Sequence, residues 1–524
     1  MNKVDVIIVG SGINSLVVAS ILSRAGKRVQ LLEARKKIGG MASTDEFSPG
    51  FKCNILNDTI KWIDPRLLKN LDLESRGLEI IQPDIVRTAI GMNNNHIQFY
   101  LDLNKTIKSI TKYSQKDSKN WKEFNFYINK STQFLEKIYE MNPPELQNIG
   151  LKEIIKMRSM IGPLRKYGTR GIVDLLRVIP MMMPELVDEW FDNELLRSAI
   201  STAGIHHHSF GPYAAGTGYN LLHQHIHANG IFHNAFFIRG GTEKLALVLK
   251  DYSESFGAKI KCSARVTSIN LENNCCKGIT LQSGETFEAN KVVSGLDPHN
   301  TFMKLINPSK LTPNFQRQLK NIRYRGTVAR AHFALNRLPK INNISEKNMV
   351  TVFSICPSIE YLERASDGVK YGYPTDQPYI EFTIPSLINS DFAPSNKHVL
   401  SASIQYCPYH LRKNKWSSKL KNEVMNNVIK TIEKVSPEFS SSIEYSNILT
   451  PLDIENEFGL TEGNLNHGEM TLDQFMFMRP LISASNYKTP IKNLFLCGSG
   501  THPGGGLHGT NGYNAATTIL KNDI

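Results

Sequence analysis

The chain of 524 residues carries 61 Lys plus Arg against 48 Asp plus Glu, a formal charge of +13. With 41% hydrophobic and 21% charged residues, its composition is ordinarily globular and excludes a disordered, collagenous or coiled-coil chain. Seven cysteines, scattered without a CxxC pair, point to a reducing compartment and exclude a disulfide framework, a zinc ribbon or a dithiol redox centre. No run of 18 apolar residues occurs, and a strand-like run already begins at Val4. Neither a spanning helix nor a leader peptide is therefore expected, and a cytoplasmic location is the default. The positive charge is spread along the chain, which reads as a Lys-rich surface with anionic lipid as a secondary attraction and no nucleic-acid partner.

Val4 to Val9 is a nearly continuous apolar run, as in a buried parallel strand. Gly10-Ser11-Gly12-Ile13-Asn14-Ser15 follows, then Leu16, Val17, Val18, Ile21 and Leu22 at helical spacing, and a second strand from Val29 to Leu32 ends at Glu33. This βαβ unit fits a dinucleotide. Gly10 permits a tight turn, Gly12 allows close approach of a pyrophosphate to the helix N-terminus, and Glu33 can accept from a ribose hydroxyl. Ser15 replaces the usual third glycine and is small enough for close helix–strand packing. Ala34, Arg35, Gly39, Gly40, Met41 and Ala42 form a second element, a basic residue followed by paired glycines, which brings a cation and backbone toward the same diphosphate.

Further along, Trp121, Phe124, Phe126, Tyr127, Phe134, Leu135, Ile138 and Tyr139 recur at mostly helical spacing. Residues 157–191 combine Arg158, Arg165, Lys166, Arg170 and Arg177 with Met181-Met182-Met183, a pattern compatible with a membrane-surface helix or a core-packed pair. Seven of the 15 histidines lie between His206 and His233. His223 and His227, placed i, i+4 on an expected helix, could share a metal. With no Asp or Glu inside 206–233 and no HExxH pattern, no metal is expected, and a structural or acid–base role is favoured.

Arg239 to Thr242 opens a helix that ends near Gly257, followed by a strand at Ala264-Arg265-Val266-Thr267-Ser268-Ile269, a turn at Gly284 and a strand at Lys291 to Ser294. Strand-like stretches recur at Thr327–Leu335, Tyr379–Ile384 and His398–Tyr406. At the far end, the strand Leu494-Phe495-Leu496 runs into the glycine-dense loop Cys497 to Thr510, and Asn511 to Leu520 reads as a helix. A strand, a glycine loop and a helix N-terminus again create donors for anionic or electron-rich groups.

With the motifs quoted above, and with Asp297-Pro298-His299-Asn300, Ser403 to Tyr409, Leu449 to Asp453, His467-Gly468 and Arg479-Pro480, the whole chain resembles the phytoene-desaturase-like FAD oxidoreductases. Within them it resembles the branch called pyridine nucleotide-disulphide oxidoreductase domain-containing protein 2, whose dithiol name does not transfer here. The resemblance implies an α/β fold: a discontinuous Rossmann-like FAD-binding domain (1–75, 235–300, 485–524) with an α+β substrate cap. The cap would comprise a mainly helical segment 76–234 and a mixed segment 301–484, around an elongated apolar tunnel. The resemblance further implies that backbone at Arg265 and Val266 meets the adenine, and that Gly498, Ser499, Gly505, Gly506, Leu507 and His508 close over the flavin. Ser499 stands where many members carry an acid. His502 and His508 are the catalytic candidates. The expected activity is hydride transfer from an apolar or amphipathic, carotenoid- or lipid-like molecule to FAD. An amine oxidase-like enzyme, a flavin-dependent isomerase and an FAD-stabilised interaction protein are the alternatives.

Overall fold

A computed structural model describes residues 4–91, 95–145, 150, 161–233, 235–341, 343–413 and 415–522, the side chains of 161–167 and 170 excepted. Among the described residues two seven-stranded sheets organise the fold. In the first, Leu494–Leu496, Thr286–Ser294, Val4–Val9, Val29–Leu32 and Lys259–Lys261 lie side by side and parallel, with Val6 opposite Val29 and Lys291, and Val293 opposite Phe495. Val266–Glu272 and Cys275–Leu281 extend the sheet from Thr286–Ser294 as an antiparallel meander. The central strand is apolar almost throughout because both its faces are covered: Val6, Ile7 and Ile8 are all buried.

Helices Ile13–Arg24, Glu243–Ser255 and Thr510–Lys521 share one core beneath this sheet. The contact between the two terminal helices is intimate. A Cβ at Gly512 would lie 2.2 Å from the Asn14 carbonyl oxygen, and the Gly512 N–H donates to Asn14 Oδ1 at 3.3 Å. Cys497 N–H bonds the Ser294 carbonyl (2.9 Å), and Gly295 N–H bonds that of Val9 (2.9 Å). Segments separated by hundreds of residues thus build one sheet and one core.

The second sheet runs Ile443–Leu449, Val328–Leu335, His398–Gln405, Tyr379–Thr383, Val352–Ile355, Ile85–Ile90, His96–Tyr100. Its last two strands come from the otherwise largely helical segment 76–234. Ile85–Ile90 is buried at every position and pairs parallel with Val352–Ile355, so it shows none of the alternation that betrays a half-exposed strand. Helix Gln115–Glu140, capped by Ser114 Oγ accepting from Asp117 N–H, buries Trp121, Phe124, Ile128, Leu135 and Ile138, whereas Phe126 points outward and is 72% exposed. Of the 157–191 stretch, residues 157–160 lie outside the described residues, as do the side chains of Arg165, Lys166 and Arg170. Arg177 pairs with Glu189 (2.6 Å), and Met183 is buried.

Candidate functional site: a dinucleotide cleft and an adjoining chamber

A cleft of about 670 Å³ opens where the parallel strands of the first sheet end. Gly10, Gly12, Ile13, Asn14 and Ser15 line it from the first turn, and Glu33, Ala34, Arg35, Gly39, Gly40 and Met41 from the second. Arg265 and Val266 contribute from the middle segment, and Gly498, Ser499, Gly506 and Leu507 from the C-terminal loop. Ala42 is buried behind the wall, its carbonyl accepting from Thr242 Oγ1 (3.2 Å). Gly505 and His508 face an adjoining chamber instead, and His502 borders neither cavity.

Local geometry follows from the sequence. Gly10 sits at φ +87°, in the left-handed region open to glycine, which turns the chain from strand into helix within two residues. Gly12 is the N-cap and supplies no side-chain acceptor, so the first-turn N–H groups beside Ile13, Asn14 and Ser15 remain available to an anion. The two glycine turns abut through a bridge between Gly12 and Gly39, and the Gly39 N–H donates to the Ser11 carbonyl at 3.1 Å. Glu33 is fixed by three donors: Ser11 N–H (2.8 Å), the Ser11 hydroxyl (2.5 Å) and Arg35 N–H (2.8 Å). Arg35 lies over the Phe458 ring at 4.3 Å and donates to Ser43 Oγ at 2.6 Å. At Ser499, the buried hydroxyl accepts from Asn14 Nδ2 at 3.4 Å, a neutral tie between the two termini at the position of the family's acid.

Sequence reasoning did not assign the opposite wall, where Asn300, Lys304 and the 455–460 segment line the cleft. Asp297 anchors that wall by accepting from Asn300 N–H (2.8 Å) and from the Thr461 N–H (3.1 Å) and hydroxyl. The cleft fits FAD: an uncapped helix N-terminus and an acid at the end of the second strand stand at the phosphate and ribose positions, in a volume typical of cofactor pockets. Beyond the cleft, among the described residues, His508 Nε2, which faces the adjoining chamber, and the buried Asn511 Oδ1 make no hydrogen bond. Such orphaned groups are rare unless a ligand satisfies them.

The adjoining chamber, about 90 Å³, shares Met41, Gly506 and Leu507 with the cleft. His508 stacks on Trp62 with ring centroids 4.0 Å apart and parallel planes. Its Nδ1 accepts from Thr510 N–H (3.2 Å), and burial pushes its pKa down to about 3, so the ring is a neutral Nε2–H tautomer and a weak base. His223 Nε2 donates to the Gly505 carbonyl (3.0 Å), leaving Nδ1 to accept from the Tyr139 hydroxyl (2.8 Å), which in turn meets Tyr219 OH at 2.8 Å. His502 donates from Nε2 to the Ile138 carbonyl (3.1 Å) and packs against Tyr139 and Phe477, a structural placement.

The histidine cluster does not form the expected single helical face. Helix Thr217–Gln224 carries His223 but ends before His227, which adopts φ +56° beyond it, beside Glu136 (3.6 Å). Among the described residues no group of three or more His, Cys, Asp or Glu is arranged to hold a metal. All seven cysteines are free, and burial pushes the Cys497 thiol up to about 12.

The chamber wall is mixed, in contrast to the implied apolar tunnel. Beside Trp62, Val352, Phe382 and Leu465 stand His206, His207 and several charged side chains. Arg330 Nη2 donates to Asp58 Oδ2 at 2.5 Å, and Glu381 accepts from Arg87 Nη1 (2.5 Å) and the Tyr379 hydroxyl (2.6 Å). No sequence motif marked these residues. Lys61 lines both this chamber and a smaller void beside Arg87, and burial pushes its pKa down to about 8. No helix among the described residues is long and apolar enough to cross a membrane.

Comparison with known proteins agrees with this geometry. Residues 8–67 match the model of an NAD(P)-binding Rossmann-like domain, and residues 221–520 match that of flavin containing amine oxidoreductases. The chain is 29% identical to the pyridine nucleotide-disulfide oxidoreductase domain-containing protein 2 of Rattus norvegicus, over 99% of this chain and 93% of that protein. It is 23% identical to the lycopene-forming phytoene desaturase of Pantoea ananas, over 98% of each. The crystal structure of an oxidoreductase from Methanosarcina mazei superposes with a TM-score of 0.62 at 13% identity, covering 99% of this chain and 100% of that one. The chain belongs to the flavin containing amine oxidoreductase family and is an FAD-dependent oxidoreductase on a Rossmann-like fold.

Proposed function

We propose that the protein desaturates an amphipathic small molecule, removing a hydride and a proton from neighbouring atoms and leaving a double bond between them. The observation that carries this reading is the seam at Met41, Gly506 and Leu507, which opens on one side to the dinucleotide cleft and on the other to the chamber. FAD, when bound, supplies the hydride acceptor. The chain's own residues place the substrate. Met41 and Leu507 set the approach at the seam, and the stacked Trp62–His508 pair forms a flat, rigid wall. Near-attack positioning of this kind supplies much of the catalysis, so no triad is needed. The neutral imidazole of His508, held at about 3 by burial, donates from Nε2, while His223, bonded to the Gly505 carbonyl and the Tyr139 hydroxyl, holds the glycine loop in place, and the proton passes to solvent.

An amine substrate is less well matched, since both chamber carboxylates, Asp58 and Glu381, are already neutralised by Arg330 and Arg87. The desaturase named among the relatives supports carbon–carbon chemistry. Anaerobic mixing with lipid, terpenoid and amine panels tests the proposal: bleaching of the flavin by an amphipathic, non-amine compound is expected. Bleaching by amines alone would overturn it.

We also propose peripheral contact with anionic membranes. It is supported by the charge of +13 and by Val173 and Leu176, 58% and 65% exposed on helix Ile161–Val178.

A further inference from the structure

We infer that Lys61 anchors an anionic head group of the substrate, so that the chamber selects amphiphiles ending in a carboxylate or phosphate. This inference rests on the oxidoreductase reading and names the substrate class of that same site. The argument starts with a count of charge. Asp58 and Arg330 form one buried pair, each side chain no more than 6% exposed, and Arg87 and Glu381 form another. In each pair the arginine neutralises the carboxylate; Asp58 Oδ1 has no hydrogen bond among the described residues, and Glu381 receives a further bond from the Tyr379 hydroxyl. Lys61 is the fifth charge. Among the described residues no hydrogen bond or ion pair engages its ammonium; Glu381 and Arg87 act on it only at longer range and with opposite signs.

The histidines around it do not compensate. His206, His207 and His225 are all held neutral by burial. One cation therefore faces enclosed space with no partner among the described residues, where burying an unpaired charge is costly. The position of Lys61, between the chamber and the void beside Arg87, directs an anion into that space. The chamber holds roughly half a dozen waters' worth of space. That suffices for a head group and its adjoining carbons. Trp62, Val352 and Leu465 provide the apolar surface for those carbons.

Calorimetric titration of the FAD-loaded enzyme with octanoate, octyl phosphate, octylamine and 1-octanol tests the anchor, with flavin content read on the same sample. Saturable binding of octanoate or octyl phosphate, at least tenfold tighter than octylamine or octanol, is expected, and whichever anion binds identifies the head group. Lys61→Met should lose at least tenfold, while Lys61→Arg should keep most of the affinity. Lys61→Gln serves should the Met variant fail to fold. Equal binding of the four probes, absence of anion binding, or an unchanged Lys61→Met would overturn the inference. A yellow enzyme that binds neither anion refutes the anchor and leaves the oxidoreductase reading standing. A protein that stays colourless refutes the reading, and calorimetry on that protein still decides the anchor.

Discussion

The seam between the terminal helices is open to a single-atom test, Gly512→Ala. In an exposed helix interior, alanine in place of glycine stabilises by about 1 kcal/mol. Here the added Cβ would lie 2.2 Å from the Asn14 carbonyl oxygen and 2.9 Å from its Cα, both backbone atoms that no rotamer can move. Restoring ordinary contact at 3.4 Å displaces one helix from the other by about 1.2 Å. Overpacking of this kind costs about 1–3 kcal/mol, so the helix-propensity gain is cancelled or outweighed. The displacement also breaks the Gly512 N–H to Asn14 Oδ1 bond and shifts Asn14, which lines the cleft and reaches Ser499. FAD affinity, read by flavin fluorescence on titration, should fall at least tenfold, and the thermal midpoint should not rise. An Ala variant that is stabilised as at an exposed site, with FAD affinity within twofold of the parent, would refute the reasoning that the two ends build one site.

Further outcomes follow from the same geometry. Glu33→Gln removes the charge that accepts from Ser11 and Arg35, and FAD affinity should drop about tenfold or more, since hydrogen bonds to charged groups contribute about 1.5–3 kcal/mol; unchanged affinity would refute its ribose role. Arg87→Met strands the Glu381 carboxylate in the interior and should cost about 3–5 kcal/mol in denaturant unfolding, with Glu381→Leu on the same background restoring most of it. His508→Phe should keep the stack on Trp62 and FAD binding yet slow flavin reduction, while His502→Phe, outside both cavities, should alter stability without that kinetic signature. Anion binding at Lys61 should be present below about pH 8 and fade as pH rises through it, because the ammonium loses its proton there while the facing Arg87 and Glu381 keep their charge and His206, His207 and His225 stay neutral. Binding that strengthens above pH 8 would contradict the anchor.

What the sequence reveals of the site is local. Each half of the cleft is written as a strand, a glycine turn and a helix start within about fifteen residues, so Gly10 to Ser15 and Gly498 to Leu507 are readable as binding turns without a structure. The chamber is not readable in that way. Asp58 meets Arg330 across 272 positions, and Arg87 meets Glu381 across 294 from strands on either side of Val352–Ile355, pairs that topology alone brings together. Within one loop, His502 and His508 look equivalent as residues. The path of the chain turns one toward Tyr139 and Phe477 and the other onto Trp62. The spacing of His223 and His227 misleads because the helix ends at Gln224. Strand Ile85–Ile90 escapes notice because burial on both faces erases its period.

The central claim is that both ends of the chain hold one FAD. Visible absorption of the purified protein, with quantitation of the released cofactor, measures this directly. One FAD per chain, retained through gel filtration or regained on reconstitution, is the predicted result; a colourless protein that takes up no flavin when FAD is supplied would contradict the account.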